Sequence, residues 1–291
     1  MRAVEPRAER APSRRPGLVR TTLVAALGLL LVMHPALARP ITVAAPAGAA
    51  AELIGVLVRR FEEQSGREVR LSPLAMNELA RTARDGGADA FLVPSRIDLG
   101  TGARPVERAP VFASDAVLVG SRADRARVRG QRDIRTAFRW IAGARALTAA
   151  SSPQLGLRGL ELSLWDAVGV DIRSRTTWYE PGGEGDENAA FARAAASGSY
   201  ALIERMTFAA QRDRRGLEVI TGGDPLLVTR WESLLLSPDP GPRAWHDWLR
   251  SDAGRAAIRE AQVNGVAPLA PVTTEPATTA DPVPRRAPDP S

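Results

Sequence analysis

The chain has 291 residues, 44% of them apolar and 25% charged, a globular composition long enough for one large or two ordinary domains. It contains no cysteine, and all 39 basic residues are arginine. Disulfides, thiol nucleophiles, thiolate metal sites, a lipid-modified cysteine, a P-loop lysine and a Schiff-base lysine are therefore excluded.

Residues 1–20 are arginine-rich. The apolar run Leu23–Met33 follows, and then Ala36-Leu37-Ala38, a small-x-small pattern. Together these predict a secretory signal peptide over 1–38. An uncleaved anchor is the rival reading, but eleven apolar residues fall short of the ~20 that span a bilayer. Cleavage would remove His34 and leave His246 as the sole histidine, which excludes a multi-histidine metal site. The net charge is +6, and +4 of it lies in the first 38 residues. With no dense basic run and no interleaved aromatics, a nucleic-acid partner is not expected.

Beyond the leader, Ile41–Ala45 reads as a buried strand. Ala49–Glu63 reads as a helix with Leu53, Val56, Leu57 and Phe61 on one face, closed at Gly66. Val69–Leu71 is a second strand, Glu78–Arg84 a second helix stopped at Gly86-Gly87, and Ala90–Val93 a third strand. This alternation predicts a parallel sheet flanked by helices. Further strands are expected at Ala116–Val119, Ala146–Thr148, Tyr200–Ile203, Leu217–Ile220 and Trp231–Leu236. Helices are expected at Asp133–Gly143, Leu160–Val168 and Pro242–Ala261, the last broken near Ser251. Residues 267–291 hold seven prolines and few large apolar residues, which predicts a disordered tail.

Several segments carry a resemblance. Leu160-Glu161-Leu162-Ser163-Leu164-Trp165, Trp178-Tyr179-Glu180, Gly198–Leu202 with Glu204-Arg205-Met206-Thr207-Phe208, Gly223-Asp224-Pro225 and Trp248–Ser251 occur in that order. Over residues 41–266 the chain resembles the tungstate-binding component of ABC importers. The resemblance implies an α/β fold of the type II periplasmic-binding kind, with two lobes of mostly parallel sheet: 40–115 plus 215–266, and 116–214. It also implies a periplasmic monomer that closes on a small oxyanion such as tungstate or molybdate, is read by an ABC permease, and uses no metal or other cofactor.

Tetrahedral oxyanions are held by helix-terminal N–H groups, hydroxyls and arginine. The family offers hydroxyls after the first strand, a glycine-threonine-glycine turn after the second, and an S-R-G-D-x-S-G-T segment before the ELSLW helix. Here the first segment reads Ala44-Ala45-Pro46-Ala47-Gly48 and the second Ala75-Met76-Asn77. In the third, Ser151 replaces the arginine and Leu157 the threonine, while Gly156 is kept.

The candidate ligand groups are the helix start at Ala47 and Gly48, Ser95 after the third strand, Ser151, Ser152, Gln154 and Arg158, Tyr179, Arg205 and Thr207. Each has an ordinary alternative: a cap or solvated loop for the 151–158 group, and a salt bridge for Arg205. Asp115 would repel an anion and is expected to be structural. Glu180, Glu184, Asp186 and Glu187 read as a solvated loop, Trp245 and Trp248 as packing, and His246 as a surface residue. The expected function is that of an exported solute-binding protein. The alternative is a degenerate binding fold acting as a sensor or protein-interaction module. A hydrolase fares worst, since no nucleophile elbow is present.

Overall fold

The computed structural model describes residues 39–100, 104–173, 177–182 and 187–272. The signal-peptide reading, Glu184, Asp186 and residues 273–291 lie outside the described residues. No helix among the described residues is long and apolar enough to cross a membrane.

The chain opens with β1 (Ile41–Pro46), α1 (Ala49–Ser65), β2 (Val69–Leu74), α2 (Met76–Asp85) and β3 (Ala90–Pro94). As expected from their alternation, β1 pairs in parallel with β2 and β3. α1 buries Leu53, Ile54, Leu57 and Phe61. It ends where Gly66 adopts φ 66°, so that its N–H can reach the Glu62 carbonyl.

The next strand, β4 (Glu107–Ser121), has 15 residues, far longer than the predicted Ala116–Val119. Its first half alternates buried and exposed positions and contains Pro110, where the register shifts. A proline has no N–H to give the ladder, and the apolar run is broken there, so the sequence pattern hides this half.

After β4 come α3 (Ile134–Gly143), β5 (Thr148–Ala149), α4 (Leu157–Ala167) and β6 (Tyr179–Glu180). They are followed by α5 (Glu187–Ser197), β7 (Ala201–Glu204), α6 (Arg205–Ala210) and β8 (Leu217–Thr221). The chain closes with β9 (Val228–Leu235), α7 (Pro240–Arg250), α8 (Asp252–Glu260) and β10 (Ala270–Pro271).

The first half of β4 lies between β9 and β10, antiparallel to both, in the order β10-β4-β9-β3-β1-β2. The second half of β4 pairs antiparallel with β7 and β8. The fold is α/β as expected, but its sheets are mixed rather than mostly parallel, because β4 and β9 run against their neighbours. Residues 217–221, expected with the first lobe, hydrogen-bond instead to the second half of β4.

Residues 267–272, expected in the tail, are also corrected. Leu269 is buried, and Ala270 and Pro271 pair with Ala113 and Phe112, so one large apolar side chain and a short ladder fix this stretch.

One apolar cluster joins α1, β1, β3, α7 and α8 through Phe61, Trp245, Leu249 and Ile258. The rings of Phe61 and Trp245 meet edge to face at 5.3 Å. A second cluster joins α3, α4 and β7 around Phe138, Trp165 and Leu202.

The break between α7 and α8 falls at Ser251, whose hydroxyl accepts from Gly254 N at 3.1 Å. His246, expected at the surface, is wholly buried. α7 turns it into the sheet, where its Nδ1 lies 2.8 Å from the Ser233 hydroxyl of β9. An amphipathic helix buries more than one residue per turn, and here Trp245, His246 and Leu249 all face inward.

Candidate functional site

A groove of ≈720 Å³ opens at the carboxyl end of β3, the place where open α/β sheets bind ligands. Its polar wall consists of Ser95 and Arg96 after β3, Ser163 of α4, and Thr229 and Arg230 of β9. Its apolar wall consists of Leu160, Pro225, Leu226 and Val228. No carboxylate stands among these lining residues. Arg230 has no ion-pair partner among the described residues.

Arg96 crosses the groove. Its guanidinium donates to the Thr229 hydroxyl. Its stem lies over Gly156, so closely that a Cβ there would sit 2.7 Å from Arg96 Cδ. Gly156 also has φ +71°, a region that side-chain-bearing residues rarely enter. The glycine before α4 is therefore required twice, once by the turn and once by the arginine.

Beneath Arg96 lies Glu204, at the end of β7 and wholly buried. It faces the Ser114 and Thr229 hydroxyls, each at 3.4 Å. Burial pushes its carboxyl up to about 7; Arg96 pulls it down and Asp115 raises it further. Asp115 is itself held by Arg205, which donates Nε to Oδ1 at 2.6 Å and Nη2 to Oδ2 at 2.5 Å. The salt bridge, the alternative for Arg205, is thus the contact formed, and Asp115 has the structural role expected of it.

The candidates of the 151–158 loop and Tyr179 do come together, but around an internal anion. Glu161 of α4 accepts from Ser151 N and Arg158 Nη1 on Oε2, each at 2.8 Å. On Oε1 it accepts from the Tyr179 hydroxyl at 2.7 Å and from Trp165 Nε1 at 3.1 Å. Arg158 also donates to the Tyr179 hydroxyl. The Ser151 hydroxyl donates to the Leu202 carbonyl at 3.0 Å, and the buried Ser152 accepts Arg158 N on its own carbonyl at 3.1 Å.

Burial works against the charge on Arg158, yet Glu161 and the Tyr179 contact raise its pKa overall. Burial and the Glu161 charge raise the Tyr179 phenol. A four-donor carboxylate of this kind is what a buried charge requires. Arg158 and Tyr179, expected to reach a ligand, point donors at Glu161 instead, and Ser151 spends its N–H on Glu161 and its hydroxyl on the Leu202 carbonyl.

At the start of α1, Gly48 (φ 85°) offers no side-chain cap, and Ala47 N bonds to the Leu74 carbonyl at 3.0 Å. Leu155 and Met206, from the segments before α4 and in α6, belong to the same apolar cluster as Ala50 and Leu53 of the first turns of α1. Leu155 is placed there by a left-handed backbone, φ 54°. Thr207 is buried on α6, where its carbonyl accepts from Gln211 Nε2 at 3.3 Å. Of the sequence candidates, Ser95 alone lines the groove.

Sequence reasoning missed Arg96, Thr229 and Arg230. The strand-end rule that selected Ser95 also covers the residue beside it. Thr229 and Arg230 precede an apolar strand and read as its polar start.

No family model matches the chain. It is 29% identical over 231 residues to a Haloferax volcanii protein named as an ABC transporter anion-binding protein. That match covers 73% of this chain and 66% of the relative, just under two thirds of the relative's length. It is 24% identical over 223 residues to the tungstate-binding protein TupA of Peptoclostridium acidaminophilum, covering 72% of this chain and 76% of that one. The solved tungstate-binding protein TupA from Desulfovibrio alaskensis superposes with a TM-score of 0.68 at 21% identity, covering 80% of this chain and 99% of that one. Both curated relatives carry the names of binding proteins. Sequence and fold together make the chain a homologue of the ABC-transporter anion-binding protein and of tungstate-binding TupA, built on the type II periplasmic-binding fold.

Proposed function

We propose that the chain is the exported, periplasmic solute-binding protein of an ABC importer, taking a small oxyanion or a related solute in the groove beside Arg96. The single observation that carries this reading is the donor set of the groove: two arginines and the Ser95 hydroxyl, with no carboxylate in the lining, at the carboxyl end of β3. Hydrogen-bond donors and two positive charges on a lining that holds no carboxylate suit an anion and disfavour a cation. In this proposal the two ends of β4 belong to two lobes, a ligand touching both stabilises the closed form, and a membrane permease reads that form from the monomer.

The test is a thermal-shift screen of the purified protein against tungstate, molybdate, sulfate, phosphate and small organic acids. A ligand at 100 times its Kd stabilises the folded state by about 2.7 kcal/mol. Absence of a shift with every anion defeats the reading. One observation favours a second reading, a sensor or interaction module without transport: the donors of the 151–158 loop are engaged by Glu161 and Leu202. That reading predicts no shift in the same screen.

A further inference from the structure

Three features of the groove narrow the class of ligand, on the premise that the groove binds an anion as proposed above. The first is size. Four oxygens around one centre occupy roughly four water volumes, about 120 Å³ at ~30 Å³ each. The groove is ≈720 Å³, within the ~300–1,000 Å³ range of sites for organic molecules.

The second feature is the lining. Leu160, Pro225, Leu226 and Val228 form an apolar wall facing the donors. Leu226 and Val228 are 39% and 44% exposed, large apolar side chains left open to solvent at the mouth. A bare oxyanion would gain nothing from covering them, whereas a hydrocarbon body would.

The third is charge. Arg96 and Arg230 bring two positive charges to the groove. The buried Glu204 lies within electrostatic reach of Arg96 and opposes one of them, while Asp115 is neutralised by Arg205. Where Glu204 is ionised, above its raised pKa of about 7, the site is thus balanced for one negative charge rather than two.

The position corresponding to the family's oxyanion cradle offers no competing site. Its first segment, Ala44–Gly48, carries no hydroxyl, and the first turns of α1 pack into the cluster that holds Leu155 and Met206.

We propose that this groove binds a monoanionic organic acid, its carboxylate held by Arg96, Arg230 and the Ser95 hydroxyl, and its short apolar body laid on Leu226 and Val228. The carboxylate matches the planar fork of a guanidinium, and the apolar wall supplies discrimination by chain length.

Isothermal titration of the purified protein with hexanoate, phenylacetate, acetate, sulfate and tungstate tests this. Hexanoate or phenylacetate is expected to bind at least tenfold more tightly than acetate, sulfate or tungstate. Arg230→Gln should weaken hexanoate at least tenfold. Leu226→Ser together with Val228→Thr, both at exposed positions, should erase most of the preference for hexanoate over acetate. Tungstate or sulfate binding as tightly as the organic acids overturns this inference and leaves the proposed function standing. Binding of no anion at all overturns both.

Discussion

Arg158 Nη1 lies 2.8 Å from Glu161 Oε2, one turn along the same helix, and the pair is shared with Ser151 N, Tyr179 and Trp165. The Glu161 side chain is 2% exposed, so these donors are its solvation. The network ties the loop before α4 to the start of that helix and to β6. Removing one partner leaves the other charge or several donors unpaired in the interior, a change that costs about 3–5 kcal/mol in buried pairs. Glu161→Gln is expected to lose stability toward that range in urea unfolding, with a larger loss than Arg158→Met, since Arg158 keeps partial solvent access. A loss below about 1 kcal/mol for Glu161→Gln would show that the network is not a structural anchor.

His246 should make the protein acid-sensitive. Burial depresses its pKa from the ordinary 6.5, Arg250 depresses it further, and Glu107 at 3.4 Å only partly offsets them. Ser233 engages Nδ1, while Nε2 faces Glu107 Oε1 at 3.4 Å. The folded state therefore binds this proton less readily than the unfolded chain. Nothing is lost above the unfolded value, and stability falls as the pH drops below about 6.5. Urea midpoints measured from pH 7.5 to 5 should fall less steeply in His246→Asn than in the parent chain. Parallel slopes would remove His246 from the account.

The sequence is legible where one physical signal dominates. α1 announces itself through Leu53, Leu57 and Phe61 and stops at Gly66; β3 is a continuous apolar run, and β1 is one but for Thr42. It is opaque where a strand serves two sheets. β4 alternates about Pro110 in its first half and is uniformly buried from Ala116 to Gly120, so periodicity marks only the second half. The candidate site was legible only as a neighbourhood. Ser95 and the loop before α4 do flank a groove, but hydroxyls and arginines carry no local sign of whether their partner is a ligand or a buried glutamate. Glu161 and Glu204 decide that, and both sit inside segments that read as ordinary helix and strand.

Gly156 couples the backbone to the groove. Its φ of +71° and the 2.7 Å approach to Arg96 Cδ both penalise a methyl group there. Left-handed backbone costs a non-glycine residue on the order of 1–2 kcal/mol, and the clash must be relieved by moving the arginine stem. Gly156→Ala is expected to lower stability by about that amount and, separately, to weaken whichever anion the groove binds. Gly143→Ala is the control, since a Cβ there meets nothing within 4 Å and the position does not line the groove. Unaltered anion affinity in Gly156→Ala would mean that Arg96 does not hold the ligand.

Glu204 should act against His246. Burial raises its carboxyl from 4.5 to about 7, with Asp115 adding to the rise and Arg96 and the two hydroxyls opposing it. The folded state therefore holds this proton more tightly than the unfolded chain. Stability from this group is fully present below pH 4.5 and is lost as the pH rises through about 7. The span between those values corresponds to an upper bound of about 3–4 kcal/mol, since each tenfold change is worth about 1.4 kcal/mol. Glu204→Gln keeps the shape and the hydroxyl partners but cannot ionise, so it should remove this loss, and its stability relative to the parent should climb between pH 5 and 8. The same substitution leaves Arg96 without its opposing charge, so the groove should gain affinity for dianions such as sulfate relative to carboxylates. Urea unfolding across that pH range and titration with sulfate and hexanoate read the two effects independently. A flat stability difference would place the carboxylate's charge in another part of the balance, and an unchanged sulfate-to-hexanoate ratio would separate Glu204 from the groove altogether.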